Sequence, residues 1–281
     1  MTEPTPDNAS AEAPAPIVPP VAPADGGWQA DFPAGLRSMG GVLHGGAVVA
    51  AMADAAAQAA GRNVSAVSAH LHLGVEPGPA EIRLTELAAG RTSTTTRAEL
   101  VQGRLRASAT ILLTADAAAP DLPVTVAETS RGAIPPAPNR SFVPEPTTGG
   151  VGWVQSLDLQ RVGDARPFSG AAEALVQGWV RPRTPTPRTA AGAIMLLDAM
   201  IPTLMVVRTT PALIFTIEYT VHLTPAAHLP RPADQWLFMR QHTVWAIGDL
   251  SVDDAELWTD DGRLLGTARQ MRRTMPMPSA S

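Results

Sequence analysis

Two aspartates stand out because each lies in a segment that is otherwise almost entirely apolar. Asp54 lies in residues 47–55 and Asp198 in residues 191–199, and both segments have the composition of a helix buried on all sides. A carboxylate is costly to bury unless it is paired, so both positions are candidates for chemistry. Each is either functional or a paired residue at a helix end or surface, and the sequence leaves both alternatives open. Pro202 is expected to end or bend the second helix.

The start of the first apolar segment offers a second kind of chemistry. His44, Gly45 and Gly46 directly precede it. A helix N-terminus carries unpaired backbone N–H groups and a positive dipole, and two glycines would let a substrate carbonyl approach that backbone closely. We therefore expect these three residues to bind substrate. The alternative is that the glycines only allow the helix to pack tightly against its sheet.

Composition excludes several classes of function. Of 281 residues, 45% are hydrophobic and 17% charged, which is enough apolar material for a sizeable core. The chain has no cysteine, so a thiolate nucleophile, a disulfide framework and a Cys-based metal site are excluded. The net charge is −5, there is no lysine, and no basic run is longer than Arg272 and Arg273, which argues against nucleic-acid binding.

No cofactor or metal is predicted. The sequence lacks a Gly-x-Ser-x-Gly elbow, a Gly-rich phosphate loop and a dinucleotide fingerprint. His70 and His72 alternate along a predicted strand, but no carboxylate lies at ligand spacing from them. No apolar stretch reaches about 18 residues, and Glu3, Asp7 and Glu12 are unlike the basic start of a signal peptide. We expect no membrane span and a cytoplasmic location.

Shifts in composition divide the chain into five parts. These are a disordered Pro/Ala-rich tail (1–25), an N-terminal domain (26–114), a Pro-rich linker (115–150), a C-terminal domain (151–273) and a second tail (274–281). The two domains contain similar short motifs, AELVQGRL at residues 98–105 and AELWTDDGRL at 255–264. Both motifs are typical of a β-hairpin, and their recurrence indicates an internal duplication.

A series of strand-like segments follows each apolar segment. The predicted strands are 64–75, 80–88, 93–100 and 105–114 in the first half, and 212–223, 235–246, 249–258 and 264–271 in the second. One helix followed by an antiparallel meander, twice over, predicts an α+β protein. A sheet curled around a single helix would bury that helix on nearly every side.

These features resemble the acyl-CoA thioesterases of the double-hotdog type, including the bacterial acyl-CoA thioesterase II group and its actinobacterial relatives. The resemblance covers about residues 26–273 and rests on LHGGA at 43–47, GRTS at 90–93, TIEYTVH at 216–222, WL at 236–237, DGRL at 261–264 and RQ at 269–270. It implies a double hotdog, with two antiparallel sheets each wrapped around one long apolar helix. The two sheets could join into one continuous surface over both helices.

The resemblance also implies catalytic residues. In the thioesterase II group a carboxylate, a hydroxyl and a glutamine hold a water, and these roles carry over to Glu218, Thr243 and Gln270. Glu218 departs from the family, which has Asp there. Single-hotdog thioesterases that begin with His-Gly-Gly carry their carboxylate further along the helix, which gives Asp54 as a rival. Asp198 is assigned to substrate binding.

The resemblance implies hydrolysis of acyl-CoA thioesters to free fatty acid and coenzyme A, and assembly into a homo-oligomer. Two alternatives stay open. One is a hotdog protein that binds acyl-CoA or an acyl carrier without turnover. The other is a hotdog hydratase or dehydratase, which needs a paired His and acidic residue that the sequence does not show. The acyl chain length and the half that carries the active site are not predicted.

Overall fold

A computed structural model describes residues 14–38, 40–115, 133–141, 152–186 and 189–277. These residues form three α-helices and twelve β-strands. The helices are α1 (Gly45–Ala60), α2 (Thr189–Leu196) and α3 (Leu204–Val207). The strands are β1 (Val21–Ala24), β2 (Gly27–Phe32), β3 (Asn63–Leu71), β4 (Gly78–Ala89), β5 (Ser93–Gln102), β6 (Arg104–Thr114), β7 (Leu157–Val162), β8 (Leu175–Pro182), β9 (Ala212–Leu223), β10 (Leu237–Ile247), β11 (Leu250–Thr259) and β12 (Leu264–Pro276).

Helix α1 is buried for most of its length. Its residues are chiefly alanine, which has the highest helix propensity and is small enough for close contact with neighbouring elements. The helix ends at Gly61, which has a φ of 59° and donates its N–H to Ala57 O. Glycine adopts this left-handed conformation without strain. Side chains from Gly46 to Ala56 are buried against α2 and the sheet, as predicted for a helix that is apolar on every side.

The strands form one continuous antiparallel sheet in the order β1-β2-β4-β5-β6-β3-β9-β12-β11-β10-β8-β7. The two predicted sheets are therefore not separate, and they join in the continuous surface that the sequence analysis allowed. The halves join because residues 66–70 of β3 pair with residues 218–222 of β9. This pairing satisfies the backbone groups of two strands that would otherwise be exposed edges.

The two halves repeat the same strand register. Ala98 pairs with Ala109 between β5 and β6, and Ala255 pairs with Ala268 between β11 and β12. Where β3 meets β6, the register shifts just after Val64, and where β9 meets β12 it shifts just after Thr216. This shared irregularity gives a residue-by-residue correspondence between the halves.

The second helix differs from the prediction of a long apolar helix. Helix α2 has only eight residues and is followed by a turn at residues 197–198, with the helical path resuming as α3. Pro202 lies between the two helices, and proline disfavours a helical conformation at the residue before it. Asp198 therefore lies beyond the end of α2 rather than within a helix.

Several predicted boundaries also need correction. Residues 14–25 belong to the fold, because Ile17 is fully buried and β1 pairs with β2. Strand β12 continues past residue 273, because residues 274–276 pair with the start of β9. The predicted linker lies largely outside the described residues, as do residues 1–13 and 278–281. No helix among the described residues is long and apolar enough to cross a membrane.

Candidate active site

A cavity of about 510 Å³ lies where the first turn of α1 meets the segment after α2 and the central strands. Both halves of the chain line it. Most of its wall is apolar and includes Val48, Leu71, Trp153, Met200, Ile214 and Phe215. Polar side chains gather at one place, where Asp198, Thr216 and Arg272 reach the cavity. A mainly apolar cavity with a few convergent polar groups is typical of a small-molecule site.

Asp198 accepts three hydrogen bonds at the cavity and is only 3% exposed. Its Oδ2 accepts a hydrogen bond from the backbone N–H of Gly46, in the first turn of α1, at 2.9 Å. Its Oδ1 accepts from Gln270 Nε2 at 2.9 Å and from Arg272 Nη2 at 3.1 Å. The helix N-terminus and the guanidinium both interact favourably with a negative charge. Asp198 is thus a buried, oriented carboxylate facing a cavity, which is the arrangement of a general base.

Thr216 completes this cluster. Its hydroxyl donates to Gln270 Oε1 at 2.9 Å and accepts from Arg272 Nη1 at 2.9 Å. The strand bulge places it there, because Met271 pairs with Glu218 while Arg272 pairs with Thr216, leaving Ile217 as the extra residue. Thr216 therefore lies on the inner face of the sheet with Gln270.

Glu218 does not join this cluster, which corrects the carboxylate assigned from the family pattern. Tyr219, its neighbour, lies on the inner face and pairs with Gln270. Because successive side chains of a strand point to opposite faces, Glu218 lies on the outer face. Its carboxylate accepts a hydrogen bond from the Thr220 hydroxyl. Glu218 and Gln270 are therefore separated by the sheet.

Thr243 lies outside this cluster and is connected to it through Asp253. Its hydroxyl donates to Asp253 Oδ1 at 2.8 Å, and Arg272 Nε donates to Asp253 Oδ2 at 2.9 Å. Thr243 thus reaches Asp198 only through Asp253 and Arg272. We replace it with Thr216 as the candidate hydroxyl.

The predicted substrate-binding residues of the first helix do lie at the cavity. His44 and Gly45 line it, and the Gly46 N–H is taken by Asp198. His44 Nε2 is 3.5 Å from Asp198 Oδ2, and its ring lies 4.6 Å from that of Trp153. Burial lowers the pKa of His44 below its ordinary value of 6.5, and although Asp198 raises this pKa, the net direction is downward. His44 is therefore neutral at neutral pH.

Asp54 is buried in α1 but does not line this cavity. It accepts a hydrogen bond from Gln58 Nε2, one helical turn later, at 3.1 Å. His70, on β3, stacks on His72, which follows the strand, lines the cavity and is hydrogen-bonded to Ser108. Across the described ranges no group of three or more His, Asp or Glu residues could hold a metal ion.

Thr216 and Arg272 are the site residues that the sequence analysis missed. A bulge has no clear sequence signal. If β9 were regular, its alternating pattern would place Thr216 and Glu218 on the same face. Arg272 offered a better signal, because it follows Gln270 at the two-residue spacing of one strand face. Asp198 and Gln270 were both singled out, and the structure brings them together.

Comparison with known proteins gives two matches to family models. Residues 32–115 match the model described as acyl-CoA thioesterase N-terminal domain, and residues 131–272 match the acyl-CoA thioesterase C-terminal domain. No curated protein matches the chain significantly.

Solved structures show the same fold at low sequence identity. A conserved protein of unknown function with a hot dog fold, from Alicyclobacillus acidocaldarius, aligns with a TM-score of 0.77 and 19% identity, covering 92% of this chain and 96% of that one. A putative thioesterase II from Thermobifida fusca aligns with a TM-score of 0.69 and 22% identity, covering 88% and 91%. A tesB protein from Mycobacterium avium subspecies paratuberculosis gives 0.66 and 17%, covering 89% and 92%.

Proposed function

Because the chain belongs to the acyl-CoA thioesterase family, we propose that it hydrolyses acyl-CoA thioesters to free fatty acid and coenzyme A, with Asp198 as general base. The observation that carries this proposal is the cluster of Asp198, Gln270 and Thr216 at the polar end of an apolar cavity. Membership of the family supports thioester hydrolysis in general. The roles of these residues and the acyl-CoA substrate go beyond family membership and are our proposal.

In the proposed mechanism, Asp198 takes a proton from a water bound beside it in the cavity. Gln270 and Thr216 fix the orientation of the carboxylate and of the water, since each hydrogen-bonds to the next. The oxygen attacks the thioester carbonyl carbon, the C–S bond breaks, and the proton passes to the departing sulfur of coenzyme A. The products are the carboxylic acid and the free thiol.

The start of α1 would stabilise the charge that develops on the thioester oxygen. Gly45 lines the cavity in the first turn, where backbone N–H groups and the helix dipole favour negative charge. The Gly46 N–H already binds Asp198, so it acts on the base instead. The apolar wall of the cavity would bind the acyl chain.

We also infer that the two halves are hotdog units fused into a double hotdog. The repeated register and the bulge shared by β3 and β9 support this interpretation. In this arrangement the β3–β9 pair joins the two units within one sheet. A homo-oligomer and a cytoplasmic location stay predictions from the sequence.

The proposal is tested by measuring thiol release from a panel of acyl-CoAs of increasing chain length. A thiol-reactive dye suits this assay because the protein contains no cysteine. The key variant is Asp198→Asn, and the matched control is Glu218→Gln, which changes a carboxylate on the other face of the sheet. We expect Asp198→Asn to lower kcat by about 10²- to 10⁴-fold. Glu218→Gln should stay within a few-fold of wild type.

Two results would contradict the proposal. If Glu218→Gln loses turnover and Asp198→Asn keeps it, the base lies on the outer face. If wild type binds acyl-CoA in calorimetry but releases no thiol from any member of the panel, the protein is an acyl-CoA-binding protein.

A further inference from the structure

Arg272 occupies the centre of the polar cluster and is only 3% exposed. Its three donor nitrogens reach three different elements. Nη2 donates to Asp198 at 3.1 Å, Nη1 to Thr216 at 2.9 Å and Nε to Asp253 at 2.9 Å. One guanidinium thus links the proposed base and the proposed hydroxyl to a second buried carboxylate.

Asp253 is itself held rigidly behind Arg272. It is 1% exposed, and its Oδ1 accepts from the hydroxyls of Thr203, at 3.0 Å, and Thr243, at 2.8 Å. Its Oδ2 accepts from Gln241 Nε2 at 3.2 Å as well as from Arg272. Three donors besides Arg272 therefore fix the position of Asp253, and Asp253 in turn fixes the position of the guanidinium.

The charged and titratable groups facing Asp198 come from four elements. They are His44 at the start of α1, Tyr219 on β9, Asp253 on β11 and Arg272 on β12. Burial lowers the pKa of His44, and burial together with Asp198 raises the pKa of Tyr219 well above 10, so both are uncharged at neutral pH. Within the described part of the chain, Arg272 is the positive charge paired with Asp198.

The first half of the molecule packs equivalent strands in the same register without this network. By the shared register, Leu113 occupies the position of Arg272, Thr96 that of Asp253 and Val64 that of Thr216. The corresponding strands β3, β5 and β6 thus pack without an ion pair at these positions. Buried ion pairs seldom stabilise a fold more than apolar groups of similar size. Stability alone therefore does not explain why the polar set is present beside Asp198.

We propose that Arg272 is a positioning residue for the hydrolytic reaction, anchored by Asp253. It orients Asp198 and Thr216 toward one bound water and balances the negative charge of the base. This inference rests on the proposed function, because it assigns Arg272 a role through Asp198.

The test is a pH series of steady-state kinetics with an acyl-CoA that the wild type hydrolyses. The variants are Arg272→Gln, Asp253→Asn and Thr243→Val, which act at increasing distance from the base. The matched controls are Arg269→Gln and Asp254→Asn, which break an ion pair on the outer face of the same two strands. Circular dichroism confirms that each variant is folded.

We expect kcat to fall by at least about tenfold in Arg272→Gln with a much smaller change in KM. The acid limb of the pH profile of kcat/KM should move to higher pH by about one unit or more, because the base loses an adjacent positive charge. Asp253→Asn leaves the positive charge of Arg272 unbalanced beside Asp198, so its acid limb should move to lower pH, while kcat falls because the guanidinium loses its anchor. The two controls should change neither quantity. Added guanidinium ion should restore part of the activity of Arg272→Ala.

A purely structural role would lower the folded fraction without moving the acid limb. An unmoved acid limb in folded Asp253→Asn and Arg272→Gln therefore overturns the inference. If Arg272→Gln does not fold, the decision rests on Asp253→Asn and Thr243→Val, which keep the guanidinium. Absence of turnover in wild type would instead overturn the proposed function and, with it, this inference.

Discussion

His44 links the active site to the stability of the fold. Burial holds its pKa below 6.5 in the folded protein, whereas the unfolded chain has the ordinary value. As pH falls through 6.5, the unfolded state binds a proton that the folded state does not. The free energy of unfolding therefore decreases on acidification, by at most about 1.4 kcal/mol per pH unit, until the folded-state pKa is reached.

This effect can be isolated by substitution. In His44→Gln the slope of unfolding free energy against pH should become shallower between pH 6.5 and the lower folded-state pKa. The measurement is urea unfolding at pH 7.5, 6.5 and 5.5. His222→Gln, which changes an exposed histidine on β9, is the control and should keep the wild-type slope. Equal slopes in His44→Gln and wild type would show that folding does not lower the pKa of His44.

At the scale of elements, the contact between α1 and the segment after α2 positions Asp198, the proposed base. A Cβ on Gly46 would lie 2.9 Å from Asp198 Cβ and 3.1 Å from Met195 O. Backbone and Cβ atoms cannot turn away as a flexible side chain does. The absence of a side chain at Gly46 is therefore what lets the helix N-terminus reach the carboxylate.

Gly46→Ala should separate α1 from Asp198. We expect a loss of about 1–3 kcal/mol in unfolding free energy from overpacking, together with a fall in kcat. Gly192→Ala in α2 is the control, because its added Cβ would meet the Thr186 methyl, 3.1 Å away, which can rotate. Thermal unfolding and kcat of the two variants provide the comparison. A Gly46→Ala protein as stable and as active as Gly192→Ala would mean that this close approach is unnecessary.

The strands also show how much of the fold could be predicted from the sequence. Alternating patterns located the eight strands that follow the helices, and β9 was predicted with the bounds it has. Strands β1, β2, β7 and β8 were not predicted, since they are short or lie in segments without clear alternation. Glu218 was assigned from the family pattern, which does not show the face of the strand on which a residue lies. Thr216 was missed because one bulged residue, Ile217, reverses the face of the residues before it in the strand. Pairing with a partner strand determines such a shift, and a single sequence does not record it.

At the scale of the whole molecule, two similar halves hold one cluster of the proposed catalytic residues. In the first half the positions of Gln270 and Arg272 are taken by Ile111 and Leu113. Asp54 remains in the helix of that half, where it accepts a hydrogen bond from Gln58. We therefore expect one active site per chain.

Asp54→Asn tests this expectation. Its kcat should stay within about twofold of wild type, because the substitution keeps the size of the side chain and lies away from the cavity. Titration with a non-hydrolysable acyl-CoA analogue should give one binding site per chain in both proteins. Loss of turnover in Asp54→Asn, or a stoichiometry of two, would place chemistry in the first half as well.

The proposed active site is divided between the two halves, and this limits which substitutions the protein can accept. The amide that holds the base comes from α1, whereas the base and its partners come from the second half. A chimera that joins halves from two relatives would be active only where the helix start and the central strands of both parents match. Recombination within the chain is therefore restricted, and the two halves must diverge together.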